Sequence, residues 1–203
     1  MKPASQWETI ESLCSQLLKN GYAVETIEPS LVESLNAALQ IHRIENRFHS
    51  ASIGRGLHKA VNKSIRSDEI SWIEDWSGAH LSEFFKLLCE LQKELCRKCM
   101  LSLKRYEGHF ALYQEGEFYE KHLDNHQGRN HRQISTVVYL NACMGGELLI
   151  YGEEDPTQVV KIIATSPGRI VLFDSKRVWH KVSPARSERR SLAGWFRDDE
   201  AIF

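Results

Sequence analysis

The chain has no long apolar run. None of its 203 residues fall in a stretch approaching the roughly 20 apolar residues that cross a bilayer, so no membrane partner is expected. Met1 to Glu11 lack the apolar core of a secretory signal, which makes the cytoplasm the expected location. Excess charge is missing too. Lys and Arg number 26 against 27 Asp and Glu, for a net charge of −1. No broad basic field exists to hold a nucleic-acid backbone, so no nucleic-acid partner is expected. Repeats, low-complexity tracts and linkers are absent, which predicts one domain over residues 1–203. Cysteine is sparse and odd in number: Cys14, Cys89, Cys96, Cys99 and Cys143. Reduced thiols are the expectation. Cys96 and Cys99 have the spacing of half a zinc or redox site. No second pair follows, and the two fall late in a helical pattern, so they read as ordinary helix thiols. What is present is a globular composition, 42% hydrophobic and 26% charged, on a chain long enough for a real core.

Period divides the chain in two. Trp7, Ile10, Leu13, Cys14, Leu17 and Leu18 lie at helical spacing, and Asn20-Gly21 is a stop signal. Tyr22-Ala23-Val24 is a short extended run. Ser30 through Glu33 forms a capping box, with the serine as N-cap of a helix to about Asn46. Residues 50–65 break any period and read as a loop or hairpin. Ile65 to Ile73 ends in strand-like alternation. Leu81, Phe84, Phe85, Leu88, Leu91 and Leu95 mark a helix over about 79–100, whose stripe is core packing. From Gly108 the period becomes two. Candidate strands are 109–114, 117–122, 132–140, 147–152, 159–164, 169–174, 178–183 and 189–197. Gly145-Gly146, Glu153 to Pro156 and Ser166-Pro167-Gly168 separate several of them. The expected fold is α+β: a jelly-roll barrel, or double-stranded β-helix, of about eight strands over 105–198, buttressed by helical support over 1–100.

One tripeptide stands out at the end of a strand. His122-Leu123-Asp124 places two metal-ligating side chains on alternate residues, which share a face. His180 lies in a second alternating segment downstream. Two imidazoles and one carboxylate are the ligand set of a facial-triad iron(II) site, which leaves three positions open. Arg189 and Ser191 follow on a further strand. Parity groups Arg189, Ser191, Ala193 and Trp195 on one face and Arg190, Leu192, Gly194 and Phe196 on the other. Arginine suits a carboxylate gripped through two parallel hydrogen bonds, and Arg-x-Ser favours Arg189 with Ser191. His126 and His131 read as loop histidines, facing solvent or near the mouth of the site. His42, His49, His58, His80 and His109 carry no motif and are assigned ordinary surface or hydrogen-bonding roles.

These residues, taken in order, resemble the iron(II)- and 2-oxoglutarate-dependent dioxygenases, within them the prolyl hydroxylases of the oxygen-sensing type and their bacterial relatives. Ile65-Arg66-Ser67-Asp68-Glu69-Ile70-Ser71-Trp72-Ile73 is similar to the family's Ile-Arg-Gly-Asp-x-Ile-x-Trp-Ile. His122-Leu123-Asp124-Asn125, Tyr139-Leu140-Asn141, Gly145 to Leu148, Gly168 to Phe173, His180-x-Val182-x-Pro184 and Arg189 through Phe196 also fit. The resemblance runs from about Gly21 to Arg197.

The resemblance implies that His122, Asp124 and His180 bind iron. Arg189 would pair with the distal carboxylate of 2-oxoglutarate, assisted by Tyr139. Tyr113 would lie near the metal and the co-substrate's other end, and Trp195 would wall the pocket. Implied cofactors are iron(II), 2-oxoglutarate and dioxygen, with ascorbate admissible. The implied partner is a protein or peptide presenting a proline, converted to its 4-hydroxylated form with release of succinate and CO2. Other 2-oxoglutarate oxygenase substrates, or a non-catalytic metal-binding jelly roll, are the alternatives. The chain departs from the animal enzymes in the 50–65 segment and in Ser67, which bears on substrate identity. Oligomeric state has no signal in the sequence.

Overall fold

The computed structural model describes residues 6–51, 61–125 and 131–200. Three helices come first: α1 (Gln6–Asn20), α2 (Pro29–Ile44) and α3 (Ser82–Cys99). Ile10, Leu13, Cys14 and Leu17 form the buried stripe of α1. Gly21, at φ +76°, then turns the chain out of the helix while its N–H donates to Leu17 O at 2.9 Å, a left-handed stop that suits glycine. The capping-box expectation for α2 is not met. Pro29 occupies the first helical turn, Glu28 is the N-cap, and no side chain caps the helix. Proline's fixed φ suits that position and moves the start one residue ahead of Ser30. In α3, Phe84, Leu87, Leu88, Leu91 and Leu95 are buried.

Among the described residues eleven strands follow or interleave: β1 (Tyr22–Thr26), β2 (His49–Ser50), β3 (Glu69–Trp72), β4 (Arg105–Tyr113), β5 (Tyr119–His122), β6 (Arg132–Tyr139), β7 (Leu148–Tyr151), β8 (Val159–Ile163), β9 (Arg169–Asp174), β10 (His180–Val182) and β11 (Arg189–Arg197). They make a seven-stranded sheet, ordered β1-β9-β6-β11-β4-β3-β2, and a four-stranded sheet, β5-β10-β7-β8. Every named pairing is antiparallel. All eight expected strands of the C-terminal half are present. The sheet is wider than expected because β1, β2 and β3, from the N-terminal half, join it.

Strand parity explains two cores. One face of the large sheet gives Phe110, Leu112, Ile134, Val138, Ile170, Leu172, Leu192 and Phe196 to a cluster with the helices. The other gives Ala111, Tyr113, Val137, Tyr139, Val171 and Phe173 to a second cluster with Leu148, Ile150 and Val182 of the small sheet. Both faces are covered, so β6, β9 and β11 are buried along most of their length, and β9 has the continuous apolar centre Ile170 to Phe173. The second core is where the barrel's polar residues converge.

Candidate active site

The triad is assembled by a cross-strand pair. His122, the last residue of β5, lies opposite His180, the first of β10, and the ring centroids are 4.2 Å apart. Asp124 follows two residues after His122. Its Oδ1 is 3.5 Å from His122 Nε2, and its Oδ2 is 3.7 Å from His180 Nε2. One ligand atom from each residue lies within 4.8 Å of the other two.

Backbone carbonyls set the imidazole tautomers. His122 Nδ1 lies 2.7 Å from Glu120 O and His180 Nδ1 lies 3.0 Å from Val178 O. A carbonyl can only accept, so Nδ1 carries the hydrogen in each ring, and each Nε2 lone pair is free for a metal. Burial, then the neighbouring His122, pushes the His180 pKa down to about 4, keeping it a neutral ligand. Burial opposes ionisation of Asp124, yet its pKa is held well below the ordinary carboxylate range, by His180 and His122 when those rings are protonated and by the standing charge of Arg132. Ser135 Oγ donates to Asp124 Oδ2 at 2.6 Å and meets Ser175 Oγ at 2.8 Å. Asn125 pins the turn: its N–H donates to Ser175 O and its Nδ2 to Arg132 O, both at 2.8 Å. Two imidazoles and one carboxylate converging through lone pairs fit an iron(II) ion in an open three-ligand site.

The opposite end of the cavity is cationic. Arg189 is only 2% exposed. Its Nε donates to Gly146 O at 3.0 Å and its Nη1 to Ser191 Oγ at 2.8 Å. The guanidinium carbon is 4.8 Å from the Tyr113 ring centroid and 5.0 Å from that of Tyr139. Among the described residues no carboxylate pairs with it. Tyr139 Oη is buried with no hydrogen-bond partner among the described residues. A buried guanidinium without an anion, beside a buried hydroxyl without an acceptor, is costly unless a ligand completes both. A ligand carboxylate fits that need. Ser191, expected to share that carboxylate, is found orienting the arginine.

His122, Asp124, His180, Tyr113, Arg189, Ser191 and Trp195 all line one cavity of about 70 Å3, with Tyr139 buried beside Arg189. Arg66, Tyr119, His109 and Arg132 line it too. Arg66 forms a bidentate pair with Asp68 at 2.6 and 2.8 Å and lies 4.6 Å over Tyr119, which stacks on His122 at 3.6 Å. His109 carries no sequence motif that would assign it to this site. A lone histidine in a strand has no local signal beyond parity with Ala111 and Tyr113. Ser67, the departure from the family pattern, has a local explanation: its Oγ accepts from Phe118 N at 3.0 Å, joining the segment to β5.

A larger groove, of about 620 Å3, runs between α1, α2 and β1, lined by Glu25, Ile27, Val32 and Leu140 among others. It holds no metal-ligand set among the described residues and lies outside the barrel. His131, Asp198 and Asp199 also cluster, but Arg197 and Arg105 already neutralise Asp199, and Asp198 accepts from His131 and Gln133. No cysteine joins a metal-ligating cluster among the described residues, and Cys96 Sγ instead contacts Leu103 O at 3.7 Å. His58, His126 and most of the 50–65 segment lie outside the described residues.

Residues 108–197 match the profile of the 2OG-Fe(II) oxygenase superfamily. No curated protein sequence matches the chain. Among solved structures, a Pseudomonas putida prolyl-4-hydroxylase is similar at 30% identity and a TM-score of 0.81, with 93% of this chain and 99% of that one covered. A prolyl hydroxylase from Trichoplax adhaerens, in complex with a hypoxia inducible factor peptide fragment, has 24% identity and a TM-score of 0.74 over 95% and 90% of the two chains. The viral collagen prolyl hydroxylase of Paramecium Bursaria Chlorella virus-1 has 20% identity and a TM-score of 0.61 over 89% and 97%. The last two likenesses show the double-stranded β-helix fold. The chain belongs to the 2OG-Fe(II) oxygenase superfamily. Iron(II) and 2-oxoglutarate are the cofactors that this family and the His122, Asp124 and His180 cluster imply. No helix among the described residues is long and apolar enough to cross a membrane.

Proposed function

We propose that the protein is a prolyl 4-hydroxylase acting on a proline presented by a protein or peptide. The observation that carries this reading is the near full-length similarity to the Pseudomonas putida prolyl-4-hydroxylase, joined to a cavity with both a metal end and a carboxylate end. His122 Nε2, His180 Nε2 and an Asp124 oxygen would hold iron(II). Arg189 and Tyr139 would hold the distal carboxylate of 2-oxoglutarate, with Ser191 and Gly146 fixing the arginine from behind. Tyr113 packs against the same guanidinium. Trp195 closes the wall, with the Arg132 guanidinium 3.5 Å over its ring.

When bound, iron(II) with 2-oxoglutarate and dioxygen supplies the oxidant for C–H hydroxylation, releasing succinate and CO2. The chain's own residues position the partners and exclude water. The two carbonyl-bound Nδ1–H groups prevent ring flips, and Ser135 keeps Asp124 aimed at the metal position. The arginine clamp, buried in a low-dielectric wall, would fix one carboxylate of the co-substrate and so orient the molecule within the cavity.

The test is a hydroxylation search by mass spectrometry. Lysate proteins are incubated with enzyme, iron(II) and 2-oxoglutarate, with Asp124→Ala as the inactive control. The expected result is a +16 Da mark on proline that depends on Asp124. Marks confined to other residues would overturn the prolyl assignment and leave the oxygenase class standing.

A further inference from the structure

His109 lies on β4 at the cavity wall and is 1% exposed. Its ring is wedged between two indoles, 5.0 Å from Trp72 and 5.4 Å from Trp195. Its Nδ1 is 3.2 Å from Phe110 O. The carbonyl can only accept, so Nδ1 carries the hydrogen and Nε2 is a bare acceptor. Burial first, then Arg66, with Arg132 adding to it, pushes the His109 pKa well below that of a free histidine, so the acceptor persists at neutral pH. The polar groups around it are mostly donors: Arg66, Arg132 and the buried, unpartnered Trp195 Nε1.

Register shows which ligand can meet this acceptor. Arg189 stands opposite Tyr113, and His109 opposite Ala193. Four residues of strand separate the two levels, about 13 Å. A five-carbon diacid held at Arg189 would span only roughly 7 Å, and its far end would be taken up at the His122, Asp124 and His180 cluster. Asp124 reaches the wall through Ser135 on β6, which pairs with Trp195 on β11. His109 is on β4, on the other side of β11, roughly 10 Å across the sheet from β6. It therefore faces the part of the cavity that neither metal ligands nor co-substrate occupy.

We propose that His109 is a specificity-determining residue that accepts, at Nε2, a hydrogen bond from an amide N–H of the peptide being hydroxylated. This rests on the reading of the protein as an oxygenase of peptide substrates. A neutral imidazole clamped by two indoles loses little entropy on binding. A site built to bond an N–H rejects molecules lacking it, because the acceptor is then left buried and unmet.

The test compares the iron(II) enzyme with its His109→Met and His109→Gln variants. Met matches the bulk without an acceptor of comparable strength, and Gln restores a carbonyl oxygen. The probe is a synthetic peptide copied from the sequence most strongly hydroxylated by the native enzyme in the lysate search. For His109→Met, KM for the peptide should rise about tenfold, the loss of one hydrogen bond, while 2-oxoglutarate affinity stays within about twofold. His109→Gln should recover most of the loss. An unchanged peptide KM in His109→Met would overturn the proposal, and so would a loss centred on 2-oxoglutarate affinity. Nitrogen NMR of the native protein gives a second measure that needs no variant. The Nδ1–H tautomer is expected at pH 7, and an Nε2–H or doubly protonated ring would refute it. A peptide marked on a residue other than proline defeats the prolyl reading alone, since the variant comparison on that peptide still decides the role of His109.

Discussion

Gly146→Ala offers a sharp test of the carboxylate clamp. Gly146 has φ +65°, and a Cβ built on it would lie 2.8 Å from Arg189 Cδ and 3.5 Å from Cys143 Sγ. The same glycine's carbonyl accepts the Arg189 Nε hydrogen at 3.0 Å. One residue thus makes room for the arginine and fixes its direction. An alanine there costs about 1–2 kcal/mol for the left-handed backbone, and the arginine stem must retreat by several tenths of an ångström. Since the guanidinium is buried between two tyrosine rings, that retreat tilts both the Gly146 bond and the fork that meets the co-substrate. Losing one charge-assisted hydrogen bond costs about 1.5–3 kcal/mol, or about 10- to 100-fold in affinity. The assay is anaerobic titration of the iron(II) protein with 2-oxoglutarate, following the weak visible charge-transfer band. The dissociation constant should rise by about that factor, iron(II) affinity should hold within about twofold, and the melting temperature should fall by about 2–8 °C. Unchanged 2-oxoglutarate affinity would refute the clamp argument. A joint loss of iron and co-substrate would refute the claim that the two ends of the cavity are built separately.

Three further outcomes are expected. Ser135→Ala removes the 2.6 Å bond to Asp124 Oδ2 and should weaken iron(II) binding about tenfold or more; unaltered metal affinity in equilibrium dialysis would show that Asp124 needs no such support. Gly194→Ala should destabilise the fold by about 3 kcal/mol, because its Cβ would fall 2.0 Å from Tyr106 Oη and 2.8 Å from Glu107 O, and Tyr106 is held by Thr136, Trp76 and Phe196. A wild-type denaturant midpoint would contradict this. The third concerns pH. His42 is buried against Phe110 with Nδ1 2.7 Å from Ser71 Oγ, and burial, then Arg47, lowers its pKa; His109 is lowered as well. Both stay neutral in the native state while the unfolded chain takes up protons below about 6.5. Metal-free stability should therefore be full above that pH and fall as pH drops through it, by up to about 1.4 kcal/mol per unit for each group. Calorimetry of His42→Gln should show a shallower acid limb, and an identical slope would exclude His42 as a source.

Much of the site was legible in the sequence, for a physical reason. Side chains alternate along a strand, so His122 with Asp124, and Arg189 with Ser191 and Trp195, could be grouped before any fold was known. The change of period near Gly108, and turn residues such as Gly145-Gly146 and Pro167-Gly168, fixed the existence of the eight barrel strands. The N-cap of α2 misled because Pro29 competes with the Ser30 capping box one residue away. Only the tertiary structure decided what depends on pairing across distant sequence. It set His122 opposite His180, aimed each Nε2 by a carbonyl behind it, and brought β1, β2 and β3 into the large sheet. It showed Ser191 orienting Arg189, and it carried His109 from a residue without a motif to the cavity wall. Local sequence carries periodicity and turn chemistry, because those are properties of neighbouring residues. Burial, register and the unmet hydrogen bonds of Arg189 and Tyr139 belong to contacts between remote segments, which exist only once both sheets have closed around the second core.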